Sequence, residues 1–305
     1  KFDQPTEIEM VYNNLIEEAN FIISENNYKD KIIHLKVNNI IADEEKKIDI
    51  INKKLKIKSL ILEIKFICIN KNLIKDVYNI FKKNNLNILN LYCSTYVKTF
   101  FYKKRFKNKN NLAFLDIGFN KSCGIILNKN KCEFFNTIPI GGNAVTKDIS
   151  NVLKLDFDYS EQLKVYLNKN ENSSNLNDNI ANNTNLFKEI SVKNISLELL
   201  KKIIEARIEE LIELSIDTKN FNQHSDFFEK PYLIFIGGGS KLLSNSYNLN
   251  KKKTFLEIFF LNEDDSMICE SGLNYFKSAE SLHTQTKKKP KKYGIFETFF
   301  NLFLN

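Results

Sequence analysis

The sequence predicts an α/β fold, and three observations support this class. First, β-rich apolar runs alternate with segments whose apolar residues recur every three or four positions. Second, the run LAFLDIG ends at Gly118, and third, the later run YLIFIGGG ends in three glycines at 237–239. Glycine turns after strands leave backbone N–H groups free to face a phosphate and allow close approach. One such turn is weak evidence, whereas two indicate a nucleotide held between two halves of a fold.

The composition of the chain limits the kinds of function that it can have. The chain has 305 residues, enough for two domains, and a formal net charge of +8. Its charged residues are spread along the whole length, and Arg105 and Arg207 are the only arginines. Sequence-specific readout of nucleic acid depends on arginine forks and aromatic platforms. We therefore expect no nucleic-acid partner.

Cysteine and histidine spacing gives no sign of a metal centre. The five cysteines are widely spaced without a C-x-x-C pair, and the three histidines lie in unrelated contexts. This pattern indicates a reducing compartment and excludes a structural zinc site of the usual spacing. The sequence also lacks the run of about 20 apolar residues that a membrane span needs.

The first 110 residues predict an α+β arrangement. Residues 5–27 carry helical periodicity after a Pro-Thr start, and the alternating stretch 31–43 predicts a strand. A second strand is predicted over 59–70, followed by an amphipathic helix over 72–84. A lysine-rich stretch, 103–109, separates this part from the next.

A β-meander is predicted from Leu112 onward. Its strands LAFLDIG, SCGIIL and CEFFNTIPI are joined by tight polar turns, and the first hairpin carries Gly118. Gly141 and Gly142 end the meander, and we expect Asn143 to cap the helix that follows. Another helix is predicted over 159–167.

The last third contains a long helix and the second glycine turn. Residues 168–186 are rich in asparagine and are expected to form a surface excursion. Ser196 is then expected to cap a long helix with apolar residues every three or four positions. A strand over 232–236 leads into the triple glycine, a further β-rich run follows, and a helix is predicted over 273–281.

Four motifs follow one another along the chain: the Asp-x-Gly hairpin, IPIGGNAVTKDIS at 138–150, IIEARIEELIEL at 203–214, and the strand with GGGSKL at 232–242. In this order they resemble the actin-like ATPase superfamily and, within it, the FtsA family of cell-division proteins. The resemblance implies an actin-like, ribonuclease-H-like α/β fold with ATP and Mg²⁺ as cofactors. It also implies an inserted α+β lobe of the type called 1C and a C-terminal amphipathic helix.

The resemblance implies a division of the chain. Residues 1–70 correspond to part of the 1C-type lobe, 71–110 to the end of subdomain 1A, and 111–280 to subdomains 2A and 2B. Subdomain 2B takes roughly 157–220, and 281–305 form a basic linker with a membrane-targeting helix. Family members begin with a further segment that carries a first phosphate hairpin, so the resemblance implies an N-terminally truncated chain.

The second phosphate hairpin departs from the family pattern DIGGGTTD. Residues 116–123 read DIGFNKSC, which places Phe119 and Asn120 where glycines are usual. Bulky side chains there crowd a phosphate, so weak binding without hydrolysis and a mere turn are both open readings.

The resemblance also implies specific site residues. Asp116 is expected to face a nucleotide-bound Mg²⁺ through water, because Mg²⁺ gives up its waters reluctantly. Each of these residues also has an alternative role. Asp116 can be an ordinary turn residue, and the glycines at 237–239 can form a helix-entry turn. Glu205 and Arg207 can lie on a solvated helix face. The expected nucleotide-binding residues are Asp116, Gly118, Ser122, Glu205, Arg207, Gly237, Gly238 and Gly239.

The C-terminus predicts a membrane-binding helix independently of any family. Lysines cluster around Pro290, and GIFETFFNLFLN follows to the end of the chain. Twelve residues make about 18 Å of helix, too short to span a bilayer. Such a helix lies in the interface, with apolar residues inserted and each nearby lysine contributing roughly 1 kcal/mol on an anionic surface. A helix docked on the protein's own core is the alternative. The expected membrane-binding residues are Lys288, Lys289, Lys291, Lys292, Ile295, Phe296, Phe299, Phe300 and Phe303.

The resemblance, together with the pattern of the C-terminus, implies an actin-like division protein on the cytoplasmic face of the bacterial inner membrane. Its expected partners are the tubulin-like ring protein FtsZ, other membrane proteins of the division machinery, further copies of itself, and the anionic membrane surface. A sugar or acetate kinase of the same superfamily is one alternative, although the sequence shows neither a cleft base nor a substrate loop. A pilus-assembly relative is another, and the amphipathic C-terminus argues against it.

Overall fold

A computed structural model describes most of the chain. The described residues are 1–26, 29–43, 46–47, 55–129, 131–170, 196–216, 230–242, 254–264 and 266–286. The membrane-binding residues predicted between 288 and 303 lie outside them, as does the asparagine-rich segment from residue 171 onward. Across the described part, no helix combines the length and apolar character needed to cross a bilayer.

The first lobe is a helix packed on small antiparallel sheets. β2 and β5 form a long antiparallel pair, and β3 extends it to the order β3-β2-β5, while β1 pairs with β4. Its buried core includes Ile8 of the helix and Ile57 and Leu60 from the strands. This confirms the predicted helix followed by two strands. The elements are β1 Thr6–Glu7, α1 Ile8–Asn26, β2 Asp30–Ala42, β3 Lys46–Lys47, β4 Lys56–Ile57 and β5 Leu60–Asn70.

Two helices connect the lobe to the main sheet. The first, α2, covers Lys71–Lys83 and begins at Asn70, whose side chain accepts a hydrogen bond of 2.9 Å from Asn72 N. The second, α3, covers Ser94–Lys103 and continues into a 3₁₀ turn. α2 lies within one residue of the range predicted from its amphipathic pattern.

A five-stranded mixed sheet forms the centre of the molecule. Its order is β10-β9-β6-β7-β8, in which β6, β7 and β8 form an antiparallel meander and β9 and β10 add parallel to β6. The predicted meander is therefore confirmed. The strands are β6 Asn111–Ile117, β7 Ser122–Asn128, β8 Lys131–Ile138, β9 Tyr232–Ile236 and β10 Ile258–Phe260.

Helices cover both faces of this sheet. Successive side chains of β6 point to opposite faces, so Leu115 packs with α4, α5 and α6 while Phe114 packs with α3 and α7. The result is a three-layer α/β arrangement in which β6 is buried on both sides. The remaining helices are α4 Gly142–Leu153, α5 Phe157–Asn170, α6 Leu197–Ser215 and α7 Ser266–Thr286.

Helix ends test the predicted caps. Ser196 caps α6 as predicted, since its hydroxyl accepts a hydrogen bond of 3.3 Å from Leu199 N. The prediction that Asn143 caps α4 is wrong: the helix begins at Gly142, and Gly141 holds the cap position. A tertiary contact described below explains the difference.

Candidate functional site

The two glycine turns lie against each other at one edge of the main sheet. They follow β6 and β9, which are parallel neighbours with Asp116 opposite Ile236. A Cβ atom at Gly237 would stand 2.3 Å from Asp116 Oδ1 and 2.7 Å from Ile117 O, and its φ of +86° already favours glycine. Turns more than a hundred residues apart in sequence therefore form one continuous backbone surface.

The three glycines of the second turn face different surroundings. A Cβ atom at Gly239 would stand 2.3 Å from Ile117 Cγ2, so this residue packs inward against β6. At Gly238 a Cβ atom would meet nothing within 4 Å, and the residue is exposed. Gly238 is thus the glycine that a ligand can approach. Within the described residues, the N–H groups of Gly238 and Gly239 meet no backbone acceptor.

The start of α4 supports the hairpin turn at 118–121. Gly142 N donates to Gly118 O at 2.9 Å, and Asn143 N donates to Phe119 O at 2.8 Å. A Cβ atom at Gly141 would stand 2.4 Å from Gly118 O, so the helix presses directly on the turn. These bonds satisfy N–H groups that a side-chain cap would otherwise take. Asn143 instead uses its side-chain amide to reach Asn120 Oδ1 at 3.1 Å.

Asp116 belongs to a buried charge cluster behind the two turns. Its carboxylate accepts from Thr95 Oγ1 at 2.6 Å and from Lys98 Nζ at 2.9 Å. Lys98 also donates to Glu263 Oε2 at 2.9 Å, and Gly237 N donates to the same oxygen at 2.8 Å. The side chains of Lys98, Asp116 and Glu263 are 3%, 12% and 7% exposed. The cluster ties α3 and the segment after β10 to the glycine turn.

This cluster does not fit a Mg²⁺ ion beside Asp116. Both carboxylate oxygens already accept hydrogen bonds, one of them from the Lys98 ammonium. A divalent cation next to this carboxylate would stand close to that ammonium and be repelled by it. The described residues contain no group of three or more His, Cys, Asp and Glu side chains placed to hold a metal. Asp116 therefore forms an ion pair with Lys98 at the place where the resemblance implies a Mg²⁺ ion.

The other hairpin residues are held in the sheet. Gly118 closes the turn by donating its N–H to Lys121 O at 2.9 Å. Ser122 begins β7 opposite Ile117 and is fully buried, with no hydrogen-bond partner for its hydroxyl within the described residues. Phe119 points away, since 59% of its side chain is exposed. The bulky residue at a family glycine position therefore does not fill the turn.

Arg207 braces two helices. Its Nη2 donates to Asp148 Oδ1 at 2.9 Å and its Nε to the other oxygen of that carboxylate, while Glu210 pairs with Nη1. Hydrogen bonding to Asp148 raises the pKa of Arg207. Asp148 lies six residues into α4, about 9 Å along the helix from the turn. Glu205 is half-buried on the same helix. In this structure the guanidinium of Arg207 is bound by Asp148 and Glu210, and its role at a nucleotide stays a prediction.

A second buried lysine lies beside the hairpin and was not predicted. Lys164 Nζ donates to Gly142 O at 3.2 Å and to Thr146 Oγ1 and Glu161 Oε2 at 2.6 Å. Its side chain is 3% exposed, and α5, which carries it, also packs on the turn at Gly238–Leu242. The Glu-x-x-Lys spacing on one helix face is the sequence signal for this pair. Lys98 has no such signal, because its partner Glu263 is 165 positions away.

Comparison with known proteins gives one family match. A profile described as cell division protein FtsA matches residues 113–273, more than half of the 305-residue chain. The matched region contains both glycine turns and the helices between them. No curated protein matches the sequence significantly.

Several solved structures are similar to parts of this chain at low identity and with TM-scores below 0.5. The PilM-PilN type IV pilus biogenesis complex is 12% identical over 88% of this chain, with a TM-score of 0.49. MreB5 of Spiroplasma citri bound to ADP is 11% identical, covering 71% of this chain and 68% of that one, with a TM-score of 0.43. The archaeal actin homolog Ta0583 in complex with ADP is 14% identical, covering 72% and 61%, with a TM-score of 0.38. This chain spans 65% of the length of the PilM-PilN chain.

Proposed function

This chain belongs to the FtsA family, whose profile matches more than half of it, and on that premise we propose that it is a nucleotide-binding, actin-like protein of bacterial cell division. Membership of this family confirms the predicted actin-like α/β fold, to which the central mixed sheet conforms. The C-terminal helix of that prediction lies outside the described residues. Nucleotide binding, the membrane link and the partners are parts of the proposal.

Nucleotide binding rests on one observation: the two glycine turns form a continuous backbone surface at the edge of the sheet. Gly237 and Gly239 are packed against Asp116 and Ile117, whereas Gly238 is open on its outer side. Free N–H groups at such a turn bind phosphate oxygens. The buried ammonium of Lys98 offsets part of the negative charge of Asp116 and Glu263, which reduces their repulsion of a phosphate.

ATP is the nucleotide that we propose, with Mg²⁺ carried on its phosphates rather than held by Asp116. Isothermal titration of ATP and ADP into the full 305-residue chain tests this, with free ribose 5-phosphate and GTP as controls. We expect micromolar or weaker binding of the adenine nucleotides and weaker binding of the controls. Absence of ATP binding, or equal binding of ribose 5-phosphate, contradicts the proposal.

Attachment to the anionic cytoplasmic face of the inner membrane is the second part. Its support is the sequence of 287–305, where five lysines precede a run rich in Phe and Leu. Co-sedimentation with vesicles of phosphatidylglycerol tests it, and vesicles of phosphatidylcholine serve as the uncharged control. We expect the F299S/F300S variant to lose most of the pelleting. Equal pelleting of the variant and the unchanged chain contradicts the tether.

The partners follow from the family and the tether together. We propose that the protein links the tubulin-like ring protein FtsZ to the membrane, associates with further copies of itself, and helps recruit later division proteins. Vesicle-bound protein is expected to recruit FtsZ filaments, measured by fluorescence on supported bilayers. Recruitment that is equal without the bound protein contradicts this role and leaves the nucleotide result unaffected.

A further inference from the structure

The joint between the first lobe and the main sheet is built by specific hydrogen bonds. Asn38 of β2 makes two bonds to the backbone of Cys132 in β8: Nδ2 donates to the carbonyl at 2.7 Å, and Oδ1 accepts from the N–H at 3.2 Å. Lys131 Nζ donates to Asn39 Oδ1 at 2.7 Å. These bonds fix β2 against the edge strand of the sheet.

A cavity of about 300 Å³ lies at this joint. Strands β2 and β5 form one side, β8 forms another, and α3 contributes Tyr96. Its volume is at the lower end of the range for small-molecule sites. The residues that matter for its chemistry are His34, Lys36, Lys65, Tyr96, Phe134 and Phe135.

Two lysines that line the cavity lie directly opposite each other. Lys36 of β2 and Lys65 of β5 are register partners in the antiparallel pair. Like charges in that position repel each other and destabilise the sheet. Burial lowers the pKa of Lys36, and Lys65 donates to the backbone oxygen of Glu133. With Glu133 also at the cavity, two ammonium groups face one carboxylate, which leaves a formal charge of +1.

His34 adds a neutral donor on the same side. It lies two residues before Lys36 on β2, so both side chains point to one face of the sheet. The residue is 5% exposed, and its Nε2 accepts a hydrogen bond of 2.8 Å from Cys93 N. Burial lowers the pKa of His34 to about 4. The ring is therefore neutral near pH 7 with its proton on Nδ1, which makes Nδ1 a donor.

We propose that this cavity is a binding site for a small carboxylate with an aromatic or aliphatic body. The paired ammonium groups of Lys36 and Lys65 suit a singly charged, planar anion that relieves their repulsion. The aromatic side chains of Tyr96 and Phe135, which pack on one face of the main sheet, suit an apolar body. A phosphate would bring more charge and no group to cover these side chains. The site is separate from the glycine turns and does not depend on nucleotide binding.

Thermal unfolding of the full chain with benzoate tests this, with benzamide as a neutral compound of the same shape. We expect benzoate to raise the midpoint in a saturable way and benzamide to have little effect. K36M and K65M are each expected to weaken benzoate binding by about tenfold or more, which corresponds to the loss of one ion pair in a shielded site. K31M is the matched control, because Lys31 is an exposed lysine of the same strand.

Several results overturn the proposal. They are no response to benzoate, equal responses to benzoate and benzamide, and equal loss of binding in K31M and K36M. Inorganic phosphate that binds more tightly than benzoate makes the cavity an inorganic anion site instead. Comparison of N-acetylphenylalanine with its amide shows whether the site binds the carboxylate of a peptide C-terminus or only a free aromatic acid such as benzoate. Removal of Lys36 also relieves the like-charge pair, so K36M is expected to remain folded.

Discussion

The two glycine turns end neighbouring parallel strands, yet they are supported in different ways. Backbone hydrogen bonds support the hairpin turn at 118–121, since the first N–H groups of α4 donate to the carbonyls of Gly118 and Phe119. Behind the triple-glycine turn lie buried charges, because Glu263 accepts the N–H of Gly237 and shares Lys98 with Asp116. The first turn relies on backbone hydrogen bonds from α4, and the second on a buried ion pair.

This difference explains which glycines the chain needs. Helix N–H groups hold the hairpin by its carbonyls, so side chains such as Phe119 point outward without disturbing it. The second turn presses its own α-carbons against β6, so Gly237 and Gly239 have no room for a side chain. Departures from the family pattern in the hairpin therefore leave its backbone in place.

Removal of the counter-ion is expected to have the largest effect. In K98M the carboxylates of Asp116 and Glu263 stay buried without their cation, so we expect a loss of about 4 kcal/mol in the free energy of unfolding. Urea unfolding measures this change. K121M removes an exposed lysine of the hairpin turn and is expected to change stability by less than about 0.5 kcal/mol. Similar losses in the two variants would show that the charge cluster does not support the second turn.

A side chain at the inner glycine is expected to be nearly as costly. In G237A the new Cβ meets Asp116 Oδ1 and Ile117 O, and φ at this residue is +86°. Strain and overpacking together predict a loss of about 3 kcal/mol. Gly272 in α7 is the matched control, because a Cβ atom there meets nothing within 4 Å. G272A is expected to be neutral or stabilising by up to about 1 kcal/mol. Equal unfolding free energies in the two variants would contradict the close packing of the turns.

The support of the hairpin depends on α4, which Arg207 braces. R207M is expected to lose about 1 kcal/mol, because the forked pair with Asp148 is only partly buried. R207K keeps the charge but not the fork, so we expect it to recover less than half of this loss. ATP affinity is expected to stay unchanged in both variants, measured by titration. A selective loss of ATP affinity in R207M would show that Arg207 belongs to the nucleotide site, as the family resemblance implies.

Local periodicity was enough to predict the elements that carry the site. β9 covers Tyr232–Ile236, as its apolar run predicts, and the meander from β6 to β8 follows from its alternating pattern. Ser196 caps α6 because this cap is a local interaction between a hydroxyl and the N–H three residues later. Such features depend on a few neighbouring residues, and a sequence shows these directly.

Contacts between distant segments were not predictable in the same way. Asn143 fits the pattern of a helix cap, but the N–H groups of Gly142 and Asn143 donate to carbonyl groups of the hairpin, so the helix begins before Asn143. Arg207 sits on a helix face whose partner, Asp148, is 59 positions earlier. Lys98 carries no local signal of its pairing with Asp116 and Glu263. The glycines in the sequence therefore predict where the site lies, whereas only the structure shows which charged side chains pair there.

The smallest effect on stability is expected at Gly238, and this residue separates folding from ligand binding. A Cβ atom there meets nothing within 4 Å, so G238A is expected to change the free energy of unfolding by no more than about 0.5 kcal/mol. If a nucleotide phosphate rests on this turn, however, the added methyl group holds it away, and we expect ATP affinity to fall by about tenfold or more. Urea unfolding and ATP titration of the same preparation measure both quantities. G272A, the same kind of change in α7 outside both turns, is the control for nonspecific loss. Unchanged ATP affinity in G238A would mean that the open side of the triple glycine is not the phosphate surface, and the hairpin turn would then be left as the remaining candidate.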